Sequence, residues 1–424
     1  MKRILQNGAL VLLGVAAALL IAEAALRLVP GGHWAQKDPL PPRDYFRADS
    51  AAGHDISENA GLAKFPLKDC DLDIWGNELG CFDRPYRGED PFILLVGDSF
   101  SWGYVPLEEH WGKLVEERTG IRVLSCGVPA YGTKNAFLKA RRVIEKANRK
   151  PQAIVLGHCV NDPIDDFLHP RYRVVDGYTL EARSIVDFSA GTIRELTEGA
   201  LQAKLETWRV YGAPEPPRNP GWERFRRILS ESSATYRLIQ PVLSDFKAAA
   251  ARLLGQAADR VEQASPAIHY ANLPFRPEGE LSWLDEAWRN HLGELRAFRR
   301  WADRQGIRFF VVIIPMREQV YPFLPGAESR GGDGPTRRVR EFLEQEKIPH
   351  ADLLPLFRRH ADRGPRRSLD SRKDLYWSAD SHWSPRGNRL AGLAVAGCLI
   401  ESRLVDISDE AGRLRVIRGA LASF

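Results

Sequence analysis

Ser99 stands in Gly97-Asp98-Ser99-Phe100-Ser101-Trp102-Gly103, directly after the apolar run Ile93-Leu94-Leu95-Val96. Four apolar residues followed by a small residue, an acid and a hydroxyl read as a buried strand running into a tight turn. A serine presented there acts as a nucleophile when a base takes its proton and donors receive the oxyanion. The rest of the chain offers one residue for each need. His382, in Asp380-Ser381-His382-Trp383-Ser384-Pro385-Arg386-Gly387-Asn388, is the candidate base, and Asp380 is the acid that would orient it and offset its charge. Gly127 follows a second apolar run in Cys126-Gly127-Val128-Pro129-Ala130-Tyr131-Gly132, where the lack of a side chain lets a backbone N–H come close to a reacting carbonyl. Asn161 follows a third run in Gly157-His158-Cys159-Val160-Asn161-Asp162 and brings a side-chain amide donor. The chemistry these types add up to is acyl transfer through an acyl-serine. The expected cofactor and metal count is none: no Cys-x-x-Cys pair or tight Cys/His cluster occurs.

Each of these residues also has a plainer use. Ser99 and Asp98 are both good helix N-caps, and Asp98 is read as structural. Gly127 and Gly132 could be turn residues, a reading preferred for Gly132. Asn161 could cap the following segment, and His382 could be an idle loop histidine. His158 is a weaker alternative base, read as lining or packing. Arg317, at a later strand end, would bind an anion or form a surface ion pair. The catalytic reading rests on four elements in order, nearly all where a strand ends.

The elements that must position them follow an alternating rhythm. Strands are expected at Ile93–Val96, Arg122–Ser125, Ala153–Leu156, Arg308–Ile314 and around His350–Leu353. Helical spacing falls between them at His110–Arg118, Asn135–Asn148, Trp283–Arg304 and Thr336–Gln345, and a last helix at Arg389–Arg403 closes the domain. Such alternation indicates a parallel sheet with flanking helices, whose carboxyl ends gather on one edge. Pro163 to about Leu281 breaks the rhythm. Arg171–Val186 reads as a hairpin or loop, while Thr192–Trp208 and Trp222–Leu254 read as amphipathic helices on either side of a proline-rich joint.

The four blocks resemble the SGNH, or GDSL-type, hydrolases. Gly97-Asp98-Ser99 matches the nucleophile block, Gly127 the glycine block, Asn161 the asparagine block and Asp380-Ser381-His382 the Asp/His block. The resemblance covers about Ile93–Asp162 and Arg308–Arg403. It implies a flavodoxin-like α/β/α sandwich with a parallel sheet. It also implies Ser99 as nucleophile, His382 as base, Asp380 behind it, and the Ser99 N–H, Gly127 N–H and Asn161 side chain as oxyanion hole. Two features depart from the common pattern. Phe100-Ser101 stands where many relatives have leucine, and Asp-x-His replaces Asp-x-x-His. The Asp-x-His-Trp-Ser form is similar to that of membrane-associated proteins that O-acetylate exported polysaccharides, such as the alginate acetylation proteins. In those relatives it generally precedes the serine block, whereas here it follows.

The amino terminus sets the expected location. Met1-Lys2-Arg3 is basic, Gly8–Ala22 is apolar or small, and the run continues past Glu23 and Arg27 to Val29. About 20 residues span a bilayer as a helix, and flanking basic residues favour a cytoplasmic N-terminus. Residues 1–30 are therefore read as a signal-anchor in the inner membrane, with a cleaved signal peptide as the competing reading. Everything after Pro30 would be periplasmic. The remaining divisions are a linker and lead-in loop at 31–90, the first part of the SGNH domain at 91–162, a mainly helical insertion or lid at 163–282, and the second part of the domain at 283–424. Cys70 and Cys81 would pair in an oxidising compartment or remain thiols, and Cys126, Cys159 and Cys398 read as buried small hydrophobes.

Across 424 residues, 44% hydrophobic and 27% charged content with a net charge of +5 describe a globular chain with no dense basic face for nucleic acid. The expected partner is an acylated carbohydrate or lipid, with a membrane-bound acyl-donor protein if the reaction is a transfer. The alternatives are a glycan-binding or scaffold subunit without activity, and a phosphate-binding protein, for which no lysine-bearing phosphate loop is present.

Overall fold

The computed structural model describes residues 41–212 and 270–424, apart from Lys68, Pro325 and residues 365–367. The proposed membrane segment at 1–30 and the helical pattern at Trp222–Leu254 lie outside the described residues. Among the described residues no helix is long and apolar enough to cross a membrane.

Five strands form the central sheet: β1 (Phe92–Gly97), β2 (Arg122–Ser125), β3 (Ala153–Cys159), β4 (Arg308–Ile314) and β5 (His350–Asp352). All pair in parallel, in the order β2-β1-β3-β4-β5. The order reverses between β1 and β3, and such a switch point opens a crevice at the carboxyl ends of the strands. The central strands β1, β3 and β4 read as largely apolar runs because both faces are covered. On one face Ile93, Leu95, Val155, Phe310 and Val312 pack with Trp111 and Val115 of α2 (Trp111–Thr119) and Leu390, Val395 and Leu399 of α7 (Pro385–Glu401). On the other, Leu94, Val96, Ile154, Leu156 and Val311 meet α3 (Thr133–Ala147), α5 (Ser282–Gln305) and α6 (Gly334–Gln345).

Helix ends follow capping chemistry. The His110 side chain caps α2, and Gly120 closes it in the left-handed region at φ 73°. The helix expected at Arg389–Arg403 starts earlier, at Pro385, because Ser384 caps it and proline is preformed for the first turn, and it is not the last, since a further helix, Glu410–Ala422, follows it.

Three expectations are corrected. Part of the lead-in segment is ordered as two antiparallel hairpins, Phe46–Asp49 with Gly53–Ile56 and Ala63–Pro66 with Asp71–Ile74. They share an apolar cluster with Trp102, Val128 and Tyr131. They are also tied down by Trp102 Nε1–H donating to Tyr45 Oη (2.9 Å) and by a buried Lys139–Asp55 ion pair at 2.7 Å. Downstream, the stretch expected to be helical from Thr192 is a strand at Thr192–Glu195 paired with Arg183–Asp187, and the helix begins only at Glu198. A second hairpin joins Tyr172–Val175 to Tyr178–Glu181. β-Branched and aromatic residues such as Thr192, Ile193 and Tyr178 favour these strands over helix. Finally, Cys81 pairs with Cys126, Cα–Cα 4.5 Å, while Cys70 is free. Cys126 at the end of β2 is the nearer partner in space, although Cys70 is nearer in sequence.

Candidate active site

β1 delivers its last residue, Gly97, at φ +145°, a conformation L side chains rarely adopt. A Cβ there would also lie 2.3 Å from Ser101 Oγ. The chain then turns into a single helical turn, α1 (Ser99–Trp102), which Asp98 caps by accepting the Phe100 N–H at 2.9 Å. Ser99 thus stands at the first position of α1, half-exposed at the switch point.

His382 lies in the loop before α7. Its Nε2 is 2.7 Å from Ser99 Oγ, and its Nδ1 is hydrogen-bonded to Asp380 Oδ1. The same carboxylate oxygen accepts the His382 backbone N–H at 2.8 Å. Burial would raise the Asp380 carboxyl, but the His382 charge, the hydrogen bonds from His382 and the Arg317 charge outweigh it and hold Asp380 below the ordinary carboxylate range. An ionised carboxylate only accepts. Nδ1 therefore carries the proton, and Nε2 is left to receive the Ser99 hydroxyl.

Two aromatic side chains pack on the imidazole. Tyr104, turned by a left-handed φ of 51°, stacks on it with centroids 3.9 Å apart and planes 2° from parallel. Phe100 leans on it at 4.9 Å and also touches Trp383. Trp377 donates its Nε1–H to the Tyr104 carbonyl (3.1 Å) and its backbone N–H to the His382 carbonyl (3.0 Å). Phe100 in place of leucine thus supplies an aromatic wall for the base. Beneath α1, His110 Nδ1 accepts the Gly112 N–H, so its Nε2 carries the proton and donates to the Ser101 carbonyl at 3.1 Å. Burial lowers His110 to about 4 and keeps it neutral.

Gly127 packs against the backbone of α1. A Cβ on it would sit 2.2 Å from the Ser101 carbonyl carbon and 2.4 Å from the Trp102 nitrogen. Asn161 opens α4 (Asp162–Phe167) at the carboxyl end of β3. Its Nδ2–H donates to Asp165 Oδ2 at 2.6 Å, and Arg171 braces Asp165 from its other oxygen at 2.7 Å. An amide nitrogen has two hydrogens, so a second N–H remains on Asn161.

The structure brings Ser99, His382 and Asp380 together and sets Gly127 and the Asn161 block at neighbouring strand ends. His158 goes elsewhere: its Nε2 is 2.8 Å from His291 Nε2, and His291 Nδ1 is 2.8 Å from Asp166 Oδ2. Burial drives both imidazoles well below their usual range, so they are neutral members of a buried relay. Arg317 donates to the Asp380 carbonyl at 3.2 Å and contacts Glu318 at 3.2 Å. Asp98 caps α1, as read from the sequence, and burial raises it to about 6, against the lowering pull of His382. Gly132 opens α3, and a Cβ there would lie 2.3 Å from Asp166 Oδ1. Sequence reasoning missed Tyr104, Asp165, Arg171 and Asp69. Only Tyr104, beside the serine block in Trp102-Gly103-Tyr104, carried a local signal.

Residues 280–415, which include β4, Asp380, His382 and α7, match the family described as "SGNH hydrolase-like domain, acetyltransferase AlgX". Over those residues the chain is similar to SGNH hydrolase-like acetyltransferases. The SGNH serine block lies before the matched stretch. A curated relative from Pseudomonas aeruginosa, named "Probable alginate O-acetylase AlgJ", is 24% identical over 158 residues. That alignment spans 35% of this chain and 37% of the relative's length. A solved GDSL-like lipase from Bacteroides thetaiotaomicron VPI-5482 is similar at TM-score 0.31 and 9% identity, covering 76% of this chain and 92% of that one.

Proposed function

We propose that this protein is a serine esterase or O-acyltransferase acting on ester-linked acyl groups, with acetyl the expected group, of a cell-envelope glycan. The observation that carries the reading is the Ser99 Oγ–His382 Nε2 contact of 2.7 Å, backed by Asp380 on Nδ1. Ser99 attacks the ester carbonyl while Nε2 takes its proton. The Ser99 N–H, the Gly127 N–H and the free Asn161 N–H receive the oxyanion. His382 then protonates the leaving alkoxide, giving an acyl-serine that water or a sugar hydroxyl resolves. Asp380 stays ionised and stabilises the imidazolium throughout. The sheet order is that of the flavodoxin-like sandwich expected for such enzymes.

The polysaccharide substrate class is supported by the matched acetyltransferase family and the alginate O-acetylase relative. An extracytoplasmic position is supported by the Cys81–Cys126 bridge, since disulfides persist in oxidising compartments, and by the apolar segment at 1–30. The test is turnover of a chromogenic acetyl ester by the purified protein. Ser99→Ala should lose about 10⁴-fold or more in kcat, the scale of losing a triad nucleophile. Equal turnover by wild type and Ser99→Ala would refute the mechanism. Adding an oligosaccharide acceptor separates the two fates of the acyl-serine: acylated sugar marks a transferase, free acid a hydrolase.

A further inference from the structure

We infer that Asp69 is a positioning residue for the Asp380–His382 pair, acting through the backbone of the loop that carries them. The inference rests on the acyl-transfer reading of the site. Asp69 lies in the turn between the strands Ala63–Pro66 and Asp71–Ile74, far from the loop in sequence. Its Oδ1 accepts the hydroxyls of Ser371 (2.6 Å) and Ser378 (2.7 Å) and the Ser378 N–H (3.2 Å). Its Oδ2 accepts the N–H groups of Ala379 (3.0 Å) and Asp380 (3.1 Å).

Three successive backbone N–H groups converging on one anion form a nest, a concavity built to bind negative charge. Here the anion is a side chain from another part of the chain. The residue that closes the nest, Asp380, holds both the backbone N–H and the ring Nδ1–H of His382 with its own Oδ1. The line of contact therefore runs from Asp69 to the Ser378–Asp380 backbone, then to the Asp380 carboxylate, the imidazole and Ser99. Ser371 stiffens the arrangement by accepting the Ser378 N–H at 2.7 Å. Charge-assisted bonds of this kind are stronger than neutral ones. Removing the carboxylate leaves the Ala379 and Asp380 N–H groups to find water, while Ser378 N–H keeps only Ser371 Oγ, and the loop loses its fixed path. A shift of about 1 Å in a catalytic group costs on the order of 10²-fold in rate.

Asp69→Asn removes the charge and leaves one acceptor oxygen in place of the two that now receive the Ser371, Ser378, Ala379 and Asp380 donors. The experiment uses the full chain. It measures kcat and KM on the acetyl ester, the thermal midpoint, and the low-field proton resonance of His382 Nδ1–H, assigned by its loss in Asp380→Asn. Asp69→Ala and Asp69→Asn should lower kcat by about 10- to 100-fold with KM little changed, and should shift or broaden the resonance. Asp69→Glu, which keeps the carboxylate, should recover part of both. A folded Asp69→Ala with unchanged kcat and an unmoved resonance overturns the inference. If Asp69→Ala does not fold, Ser378→Ala takes its place and should show a smaller change in the same two readouts; none in either overturns it. Absence of Ser99-dependent turnover in wild type would instead count against the acyl-transfer reading, and the resonance alone would still decide the role of Asp69.

Discussion

At the scale of single residues the site is a balance of buried charges around one serine. Asp380 is held ionised by His382, whereas Asp98, one residue before the nucleophile, is raised to about 6 by burial. The two carboxyls therefore play different parts: one faces the imidazole, the other caps α1. A folded value above the unfolded one means that Asp98 contributes its full stability below the unfolded carboxylate range and loses it as pH rises through about 6. Each tenfold change in proton affinity is worth roughly 1.4 kcal/mol, so the ionised form costs on the order of 3 kcal/mol or less. Asp98→Asn keeps an acceptor for the Phe100 N–H and removes that charge. Thermal melts should show Asp98→Asn above wild type at pH 8, with the gap closing towards pH 4; a gap of equal size at both values would contradict this account. Ser99, Asp380 and His382 were legible because their types carry chemistry and their order matches strand ends. The roles of Tyr104 and Asp69 were not, because stacking and nest contacts join residues roughly 280–310 positions apart; nothing local marks Asp69, and Tyr104 is marked only by its place beside the serine block.

At the scale of elements, function depends on how closely α1 sits against the neighbouring strand ends. Gly97 permits the turn, and Gly127 permits the approach. Gly127→Ala would drive a Cβ into the Ser101 backbone, and overpacking of this kind costs about 1–3 kcal/mol. We expect a lower melting midpoint and a loss of esterase turnover larger than the stability change explains, because α1 carries Ser99. Wild-type kcat in Gly127→Ala would show that the close approach is not needed. β1, β3 and β4 were readable from sequence because burial on both faces makes them largely apolar runs, and the shorter β2 and β5 because they fall in the alternation of strand and helix. The hairpins at Phe46–Ile56 and Arg183–Glu195 were not. Short antiparallel strands alternate over too few residues to stand out, and the latter was masked by a helix that starts only at Glu198.

At the scale of the whole molecule, the lead-in segment is part of the site's support. It supplies Asp69 to the His382 loop, Tyr45 to Trp102, and Cys81 to Cys126, which directly precedes Gly127. The bridge closes a loop of 45 residues, and a cross-link of that length contributes about 2–4 kcal/mol by the chain-entropy estimate. Replacing both cysteines by serine should lower the unfolding free energy by about that amount and reduce turnover through the Gly127 loop. A double variant as stable and active as wild type would place the bridge outside the site's support. The pairing itself was hidden in the sequence: Cys70 is nearer to Cys81 along the chain, and only the fold brings the end of β2 alongside.

The central claim is that Ser99 is a nucleophile activated by His382. Its most direct measurement is reaction with a fluorophosphonate probe, followed by intact-mass and peptide analysis. The account predicts one adduct per chain, on the peptide containing Ser99, abolished by Ser99→Ala and slowed by orders of magnitude in His382→Ala. Folded wild-type protein that takes no adduct at Ser99, or labels there equally fast without His382, would contradict it.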